Sequence, residues 1–423
     1  MKSIFKLFEA VSIMAIIALV AVIGFTMAAC SSPAGGDKEA GAAVSMPVLV
    51  SKTDTTITIM ASAFTGENPG GQIIEYARSN SNTAPSTGWQ DALTFSGLVP
   101  GTEYHIFARS RQNATHYAGA ASAGLMVETY APYVAGWYNT AAVYWNGGAP
   151  QSLSGGIGNG SVARGITISG SDVYVVGYNS SNTATLWING EPQTLEGAAA
   201  ISSEANGVAV SGSDVYVVGC EDNTAAFWLN GGLQTLEGAA FHWSSARGIT
   251  ISDSDVYIVG WNNGNPALWI NGDLQPPLAD AKDGASRANA IAVSGSSVYI
   301  AGSSDPALNR GTAVYWKDGV LQTLAGAIAG ESEAYGIAVL GSSVYVVGHN
   351  NDTAALWIDG VLQTLEGTVS GINNSANAIA VSGSSVYVAG TNPDAVYWKD
   401  GVLQTLNVQP GSSSFAFAIA LGW

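Results

Sequence analysis

The chain has little of what builds disulfide-stapled folds, metal centres or nucleic-acid surfaces. Two cysteines, Cys30 and Cys220, stand in 423 residues, too few for a disulfide framework. Only four histidines occur (His105, His116, His242 and His349), and no His/Cys/Asp cluster has metal-ligand spacing. Charged residues make up 11% of the sequence, and 14 basic residues against 31 acidic ones leave a net charge of −17. That balance argues against a phosphodiester backbone as a partner; acidity of this kind more often serves solubility than a specific site. Neither a Gly-x-Ser-x-Gly elbow nor a phosphate-binding loop occurs. Nothing calls for a cofactor or a metal.

What the sequence does have is glycine and a repeat. Its 52 glycines are spread evenly, as many tight turns between short strands require. Trp145, Trp187, Trp228, Trp269, Trp316, Trp357 and Trp398 follow one another at steps of 42, 41, 41, 47, 41 and 41 residues. Around Trp187 the unit reads Ala-Arg-Gly-Ile-Thr-Ile-Ser-Gly-Ser-Asp-Val-Tyr-Val-Val-Gly, a variable stretch, then Leu-Trp-Ile-Asn-Gly-Glu-Pro-Gln-Thr-Leu. A period near 41 residues with four short β-like runs is the signature of a propeller blade.

Each unit divides into four strands. The innermost (Gly165-Ile166-Thr167-Ile168) is lined with small and branched residues that suit crowding around an axis. The second (Val173-Tyr174-Val175-Val176) is apolar on both faces, the third carries the Trp, and the fourth (Gln193-Thr194-Leu195) is a short outer edge. Asn-Gly at Asn189, Asn230 and Asn271, and Asp-Gly at Asp318, Asp359 and Asp400, are type I′ hairpin signals between strands three and four. A Trp at the same place in every copy is explained by packing between blades rather than by seven binding sites. The first copy opens at strand two (Tyr133-Val134-Ala135-Gly136), while the chain ends on Phe415-Ala416-Phe417-Ala418-Ile419-Ala420, a strand one with no other three. One blade is therefore expected to be shared between the two ends. The predicted fold is all-β: a seven-bladed β-propeller of four-stranded blades over residues 132–423, its ring closed by the C-terminal strand.

Three segments precede it. Residues 1–30 begin with Lys2 and Lys6, run through an apolar stretch from Val11 to Met27 and end Met27-Ala28-Ala29-Cys30. A basic start, an apolar middle and small residues before a cleavage point describe a secretory signal. Its last four residues resemble the lipobox of bacterial lipoproteins, which implies that Cys30 is lipidated and that the rest is exported and held at a membrane. Met27 stands where that pattern commonly has Leu, and Glu9 is acidic; an uncleaved anchor is the alternative. Once Cys30 is so used, Cys220 is a lone thiol, read as a packing residue. Residues 31–45 are small and polar and read as a flexible tether.

Between residues 46 and 131 the pattern alternates, as in Thr56-Ile57-Thr58-Ile59 and Tyr104-His105-Ile106-Phe107-Ala108. Leu98, Pro100, Gly101, Thr102 and Tyr104 resemble the Leu-x-Pro-Gly-Thr-x-Tyr corner of fibronectin type III domains. The resemblance implies a β-sandwich acting as a spacer or interaction module, a Tyr104 hydroxyl bonded back to the backbone, and Trp89 in the core. Likewise the propeller unit resembles the HAF-type extracellular repeat of bacterial surface proteins. Ala163, Gly165, Ile166, Val175, Val176, Gly177, Leu186, Trp187 and Gly190 carry that match, although Thr-Ala or Ala-Ala replaces the usual His-Ala. It implies an exported location and no settled activity.

Variation among the copies points to one face. Connections between strands one and two, and three and four, barely change, whereas those leaving strands two and four vary. In a meander the two variable connections emerge together, as binding loops on a scaffold do. Two rings of positions stand there. The residue after the strand-two Gly is Trp137, Tyr178, Cys220, Trp261, Ser303, His349 or Thr391; the residue before the inner strand is Arg164, Asn206, Arg247, Asn289, Tyr335, Asn377 or Phe417. Candidate ligand contacts are Trp137, Tyr178, Trp261, His349, Arg164, Arg247 and Tyr335, with His242 and Trp243 on the Phe241-His242-Trp243 loop. Aromatics beside Arg and Asn suit sugar rings and suit a protein partner equally. Glu204, Glu221, Asp222, Glu331 and Glu333 are the carboxylates from which an acid–base pair would have to come, and the Ser-x-Asp-x-Gly-x-x-Trp box of sialidase propellers is missing. Three functions stay open: a non-catalytic scaffold binding a glycan or protein, a glycan-active hydrolase or lyase, and a purely structural surface protein.

Overall fold

A computed structural model describes residues 37–422 except 156–159, 199–201, 240–242, 280–285, 305–310, 369–373, 384 and 410–412. The signal segment with Cys30, the candidate His242 and the insertion from Asp305 to Arg310 lie outside the described residues. Among the described residues the elements are strands and turns, with no helix.

Two three-stranded sheets come first. Strands β1 (Val48–Lys52), β2 (Ile57–Met60) and β4 (Thr94–Phe95) form one, and β3 (Ile74–Ser79), β5 (Glu103–Ser110) and β6 (Leu125–Glu128) the other. Alternation puts Ile57 and Ile59 of one sheet against Tyr76, Tyr104, Ile106 and Val127 of the other. The Tyr104 hydroxyl accepts a 3.0 Å hydrogen bond from the Val99 amide, tying strand to preceding corner. Trp89 departs from expectation: it is half-buried, with the Arg109 guanidinium 3.9 Å from its ring centroid, rather than in the core.

The segment expected to be a tether is also different from residue 39 onward. Glu39 pairs with the strip around His116, and Ala43 and Ser45 exchange backbone bonds with Thr65 and Ala63. Val44 is buried in the sandwich core. Small residues cannot build a core, but they add readily to an existing sheet edge. Gly41 shows why: a Cβ there would run into the backbone of Gly119.

Seven four-stranded antiparallel sheets make up the remainder. Their inner strands follow one another around a closed circle, and the last, Ser414–Leu421, touches those of both the first and the sixth complete blade. It pairs with Pro132–Tyr138, so the shared sheet runs from the C-terminal strand outward through the first three strands of the repeat region. The chain is a β-propeller whose ring is closed by hydrogen bonding between its two ends. The shared sheet is blade one here, and blades two to seven follow in sequence.

All seven repeat tryptophans are fully buried. Each removes roughly 150–250 Å² from water, a gross transfer gain of about 4–6 kcal/mol. They also pin blades together. Trp187, Trp228, Trp269, Trp316, Trp357 and Trp398 each donate Nε1–H to a backbone carbonyl of the preceding blade at 2.8–3.1 Å. Trp145, at the closing seam, is the exception, and its Nε1 has no partner among the described residues. A second pin is a buried serine at the start of the inner strand. The Oγ atoms of Ser161, Ser203, Ser244, Ser332 and Ser414 each accept the strand-three amide of the previous blade at 2.8–3.0 Å.

The short turns follow the expected chemistry. Asn189, Asn230, Asn271, Asp318, Asp359 and Asp400 all have φ near +50°, and the glycines after them are positive too. Their side chains reach across to the start of strand two. Asn189, Asn230 and Asn271 donate to Asp172, Asp214 and Asp255. Where the turn residue is Asp318 or Asp359, the facing residue is Ser297 or Ser343, which donates instead.

The sandwich meets the propeller on this short-turn face. Asp54, buried, pairs with Lys399 and accepts from the Tyr387 hydroxyl, both in blade seven. Gly101 lies against Gly147 in the blade-one hairpin. Burial and the Asp54 carboxylate raise the Tyr387 hydroxyl far above its ordinary range. Burial pushes Tyr397 up to about 12, with Asp54 adding to it.

Candidate functional site

At the opposite end of the axis every blade breaks register once. In blade two Ala163 pairs with Gly177 and Gly165 with Val176, leaving Arg164 unpaired. The same shift leaves out Asn206, Arg247, Asn289, Tyr335, Asn377 and Phe417. These seven residues were expected just before the inner strands; they lie within them, each on a β-bulge. A bulge re-aims the side chain it carries, and here all seven line one cavity of about 320 Å³ on the axis. A smaller space of about 240 Å³ shares these residues and is walled also by the two that follow each.

The signal for the bulges is the strand-two glycine. A Cβ at Gly136, Gly177, Gly219, Gly260, Gly302, Gly348 or Gly390 would collide with a carbonyl oxygen of the facing inner strand. An isolated Gly inside a strand marks such close approach. This glycine stands in all seven copies of the repeat.

The ring divides into two kinds of residue. Asn206, Asn289 and Asn377 donate Nδ2–H to the backbone carbonyls of Ala246, Ala334 and Ala416 in the next blade, at 3.0, 2.9 and 2.7 Å. They are staples between blades. Among the described residues Arg164, Arg247, Tyr335 and Phe417 make no such bond, and the Nε atoms of both arginines are buried without a partner. Arg164 lies over the Tyr178 ring at 5.4 Å and meets Glu204 at 3.3 Å. Tyr335 tilts against His349 at 5.4 Å. Phe417 stacks on Phe415, which stacks on Trp137 at 5.2 Å.

Of the candidate contacts, then, Arg164, Arg247 and Tyr335 line the cavity. Tyr178, His349 and Trp137 stand behind lining residues as supports. Trp261 is half-buried opposite Ser245 in blade four, and Trp243, 65% exposed, precedes that blade's inner strand. Neither lines the cavity. Ser303 and Thr391, in the same outer ring, are buried.

The electrostatics are unlike those of the whole chain. All described arginines of the propeller, Arg164, Arg247 and Arg287, gather at this end. Burial lowers the Arg247 guanidinium from its ordinary value, and the like charges of Arg164 and Arg287 lower it further against Glu333 and Glu204. Burial raises the Tyr335 hydroxyl, reinforced by Glu333, so it is a donor at neutral pH. Burial holds His349 below the ordinary 6.5, opposed by Glu333 and Asp352. Cys220 is pushed up by burial and then by Glu204, which leaves it a thiol. Of the acidic candidates, Glu204 is engaged by Arg164, and Glu333 accepts from Asn289 at 2.9 Å. Among the described residues no group of three or more His, Cys, Asp or Glu could hold a metal.

Fold and site together define a β-propeller with a polar, partly cationic axial mouth. No family model matches the chain, and no curated protein matches it. Solved structures similar to it include the WD40 β-propeller domain of Doa1, at 14% identity and a TM-score of 0.41, covering 86% of this chain and 94% of that one. Another is the extracellular domain of a hybrid two-component system from B. thetaiotaomicron, at 8% identity and a TM-score of 0.29, covering 74% of this chain and 52% of that one. The chain thus spans about half the length of the latter.

Proposed function

We propose that the protein is an exported lipoprotein, anchored through Cys30, whose propeller binds a glycan or protein without chemical turnover. Residues 1–30 act as the signal, the sandwich serves as a fibronectin type III-like spacer, and the ligand is taken at the axial mouth and the variable loops around it. The observation that carries this is the convergence of seven bulged side chains on one cavity at the end of the axis away from the sandwich. Bulges concentrate where side chains are re-aimed for function, and in four of the seven blades the re-aimed residue is not one of the asparagine staples. The Tyr104 corner supports the spacer, and of the five candidate carboxylates Glu204 and Glu333 are engaged by neighbours.

Glycan-array binding of the full chain tests the reading, with Trp243→Ala and Trp261→Ala in parallel. Binding lost in the variants at an unchanged unfolding midpoint supports the scaffold. Release of new reducing ends from bound glycans would favour the hydrolase, and no binding to any glycan or protein would leave a structural role. Palmitate labelling that survives Cys30→Ser would remove the anchor.

A further inference from the structure

The mouth is uneven around its circumference. Arg164 and Arg247 stand two blades apart on one side with Asn206 between them, and Tyr335 and Phe417 stand two blades apart on the other with Asn377 between them. We propose that this mouth binds an acidic sugar of the uronate type, its carboxylate held by Arg247 with Arg164 and its ring lying against Tyr335 and Phe417. The acid class rests on the binding role proposed above and goes beyond it by naming the ligand chemistry.

Four observations carry it. First, the two guanidinium groups are held at one end of an acidic chain, and Arg247 has a buried Nε with no partner and no ion pair among the described residues. A guanidinium presents a planar fork that fits a carboxylate, and a bound anion would relieve the mutual repulsion of the clustered arginines. Glu204 occupies only Arg164, through Nη2, so Arg247 is the principal seat.

Second, each asparagine commits an amide hydrogen to the neighbouring blade, and its Oδ1 stands as an acceptor. Acceptors beside the cations suit a ligand rich in hydroxyl groups, which a bare acidic side chain is not. Third, the aromatic half is braced: Phe417 by Phe415 and Trp137, and Tyr335 by His349. A sugar presents an apolar ring face that such a wall can cover. Fourth, about 320 Å³ lies at the small end of ligand cavities, which fits one sugar residue rather than an enclosed chain.

Calorimetric titration of the full chain with glucuronate, glucose and N-acetylglutamate tests the inference. Glucuronate is expected to bind, with glucose at least about tenfold weaker. Arg247→Gln should weaken glucuronate by about ten- to a hundredfold, the range for losing a charge-assisted hydrogen bond, with Arg247→Lys recovering part of it. Rising salt should weaken binding as well. If Arg247→Gln lowers the unfolding midpoint, Phe417→Ser serves instead and should weaken glucuronate and glucose alike. Equal affinity for glucose, tighter binding of N-acetylglutamate, unchanged affinity in Arg247→Gln and Phe417→Ser, or no glucuronate binding would each overturn the proposal. Neutral glycans retained on the array through Trp243 or Trp261 would then show that only the acid class has failed. No binding to any glycan or protein would mean that the scaffold itself has.

Discussion

At the scale of single residues, the propeller is held by short side-chain bonds that recur from blade to blade. The tryptophans supply both apolar area and an inter-blade donor, and the buried serines supply an acceptor. The turn pairs are more telling, because they vary in a matched way. Asn faces Asp in blades two to four, while Asp faces Ser in blades five and six, so every pair keeps one donor and one acceptor. Asn271→Asp alone would set a second carboxylate against Asp255. We expect it to lower stability by about 1 kcal/mol, a shift of a few degrees or less in a domain of this size. Adding Asp255→Ser should restore the midpoint. Thermal unfolding checks both, and a neutral single variant or a worse double one would contradict the matching.

At the scale of elements, the closing strand carries most consequence. Ser414–Leu421 supplies the inner strand of blade one and covers Trp145, Val134 and Val143 with its apolar side chains. The seam it makes is already short of one pin, since Trp145 lacks the donor bond its six counterparts make. A chain ending at residue 413 should lose the single cooperative transition and melt well below the full chain. Calorimetry on the two forms decides this, and superimposable curves would rule out closure by strand exchange as the stabilising device. Residues 39–45 teach the complementary lesson at the other end. Their composition reads as tether, yet they dock because the sandwich offers edges and Gly41 permits close approach.

At the scale of the whole molecule, the two ends of the axis differ. One end meets the sandwich through Asp54, and the other opens into the cavity. Removing one member of a buried ion pair leaves the other uncompensated, at about 3–5 kcal/mol. Asp54→Ala should therefore uncouple the sandwich, splitting unfolding into two transitions and exposing the linker near Ala131 to protease. Pairing it with Lys399→Met should reverse most of the loss. A single unchanged transition in Asp54→Ala would mean that the contact contributes little.

How much was legible follows from how repetition works. Period, strand number per blade, hairpin turns and the exchange between the chain ends are all local patterns or counts, and a sequence records them directly. The tryptophans belong to the same class, because a core position recurs wherever the blade recurs. The bulge was half-legible: Gly177 and its counterparts stand in every copy, but what they avoid is a carbonyl on another strand. The split of the axial ring into asparagine staples and Arg, Tyr and Phe without that staple was not legible, since it depends on which backbone atom of the next blade lies within reach. The docking of Asp54 joins residues more than 330 positions apart. Sequence alone determined that the chain winds into a ring of β-blades, because each blade is specified by its own short-range pattern. Only the tertiary structure decided which side chains the ring turns toward its axis, because that is set by contacts between blades that no single repeat contains.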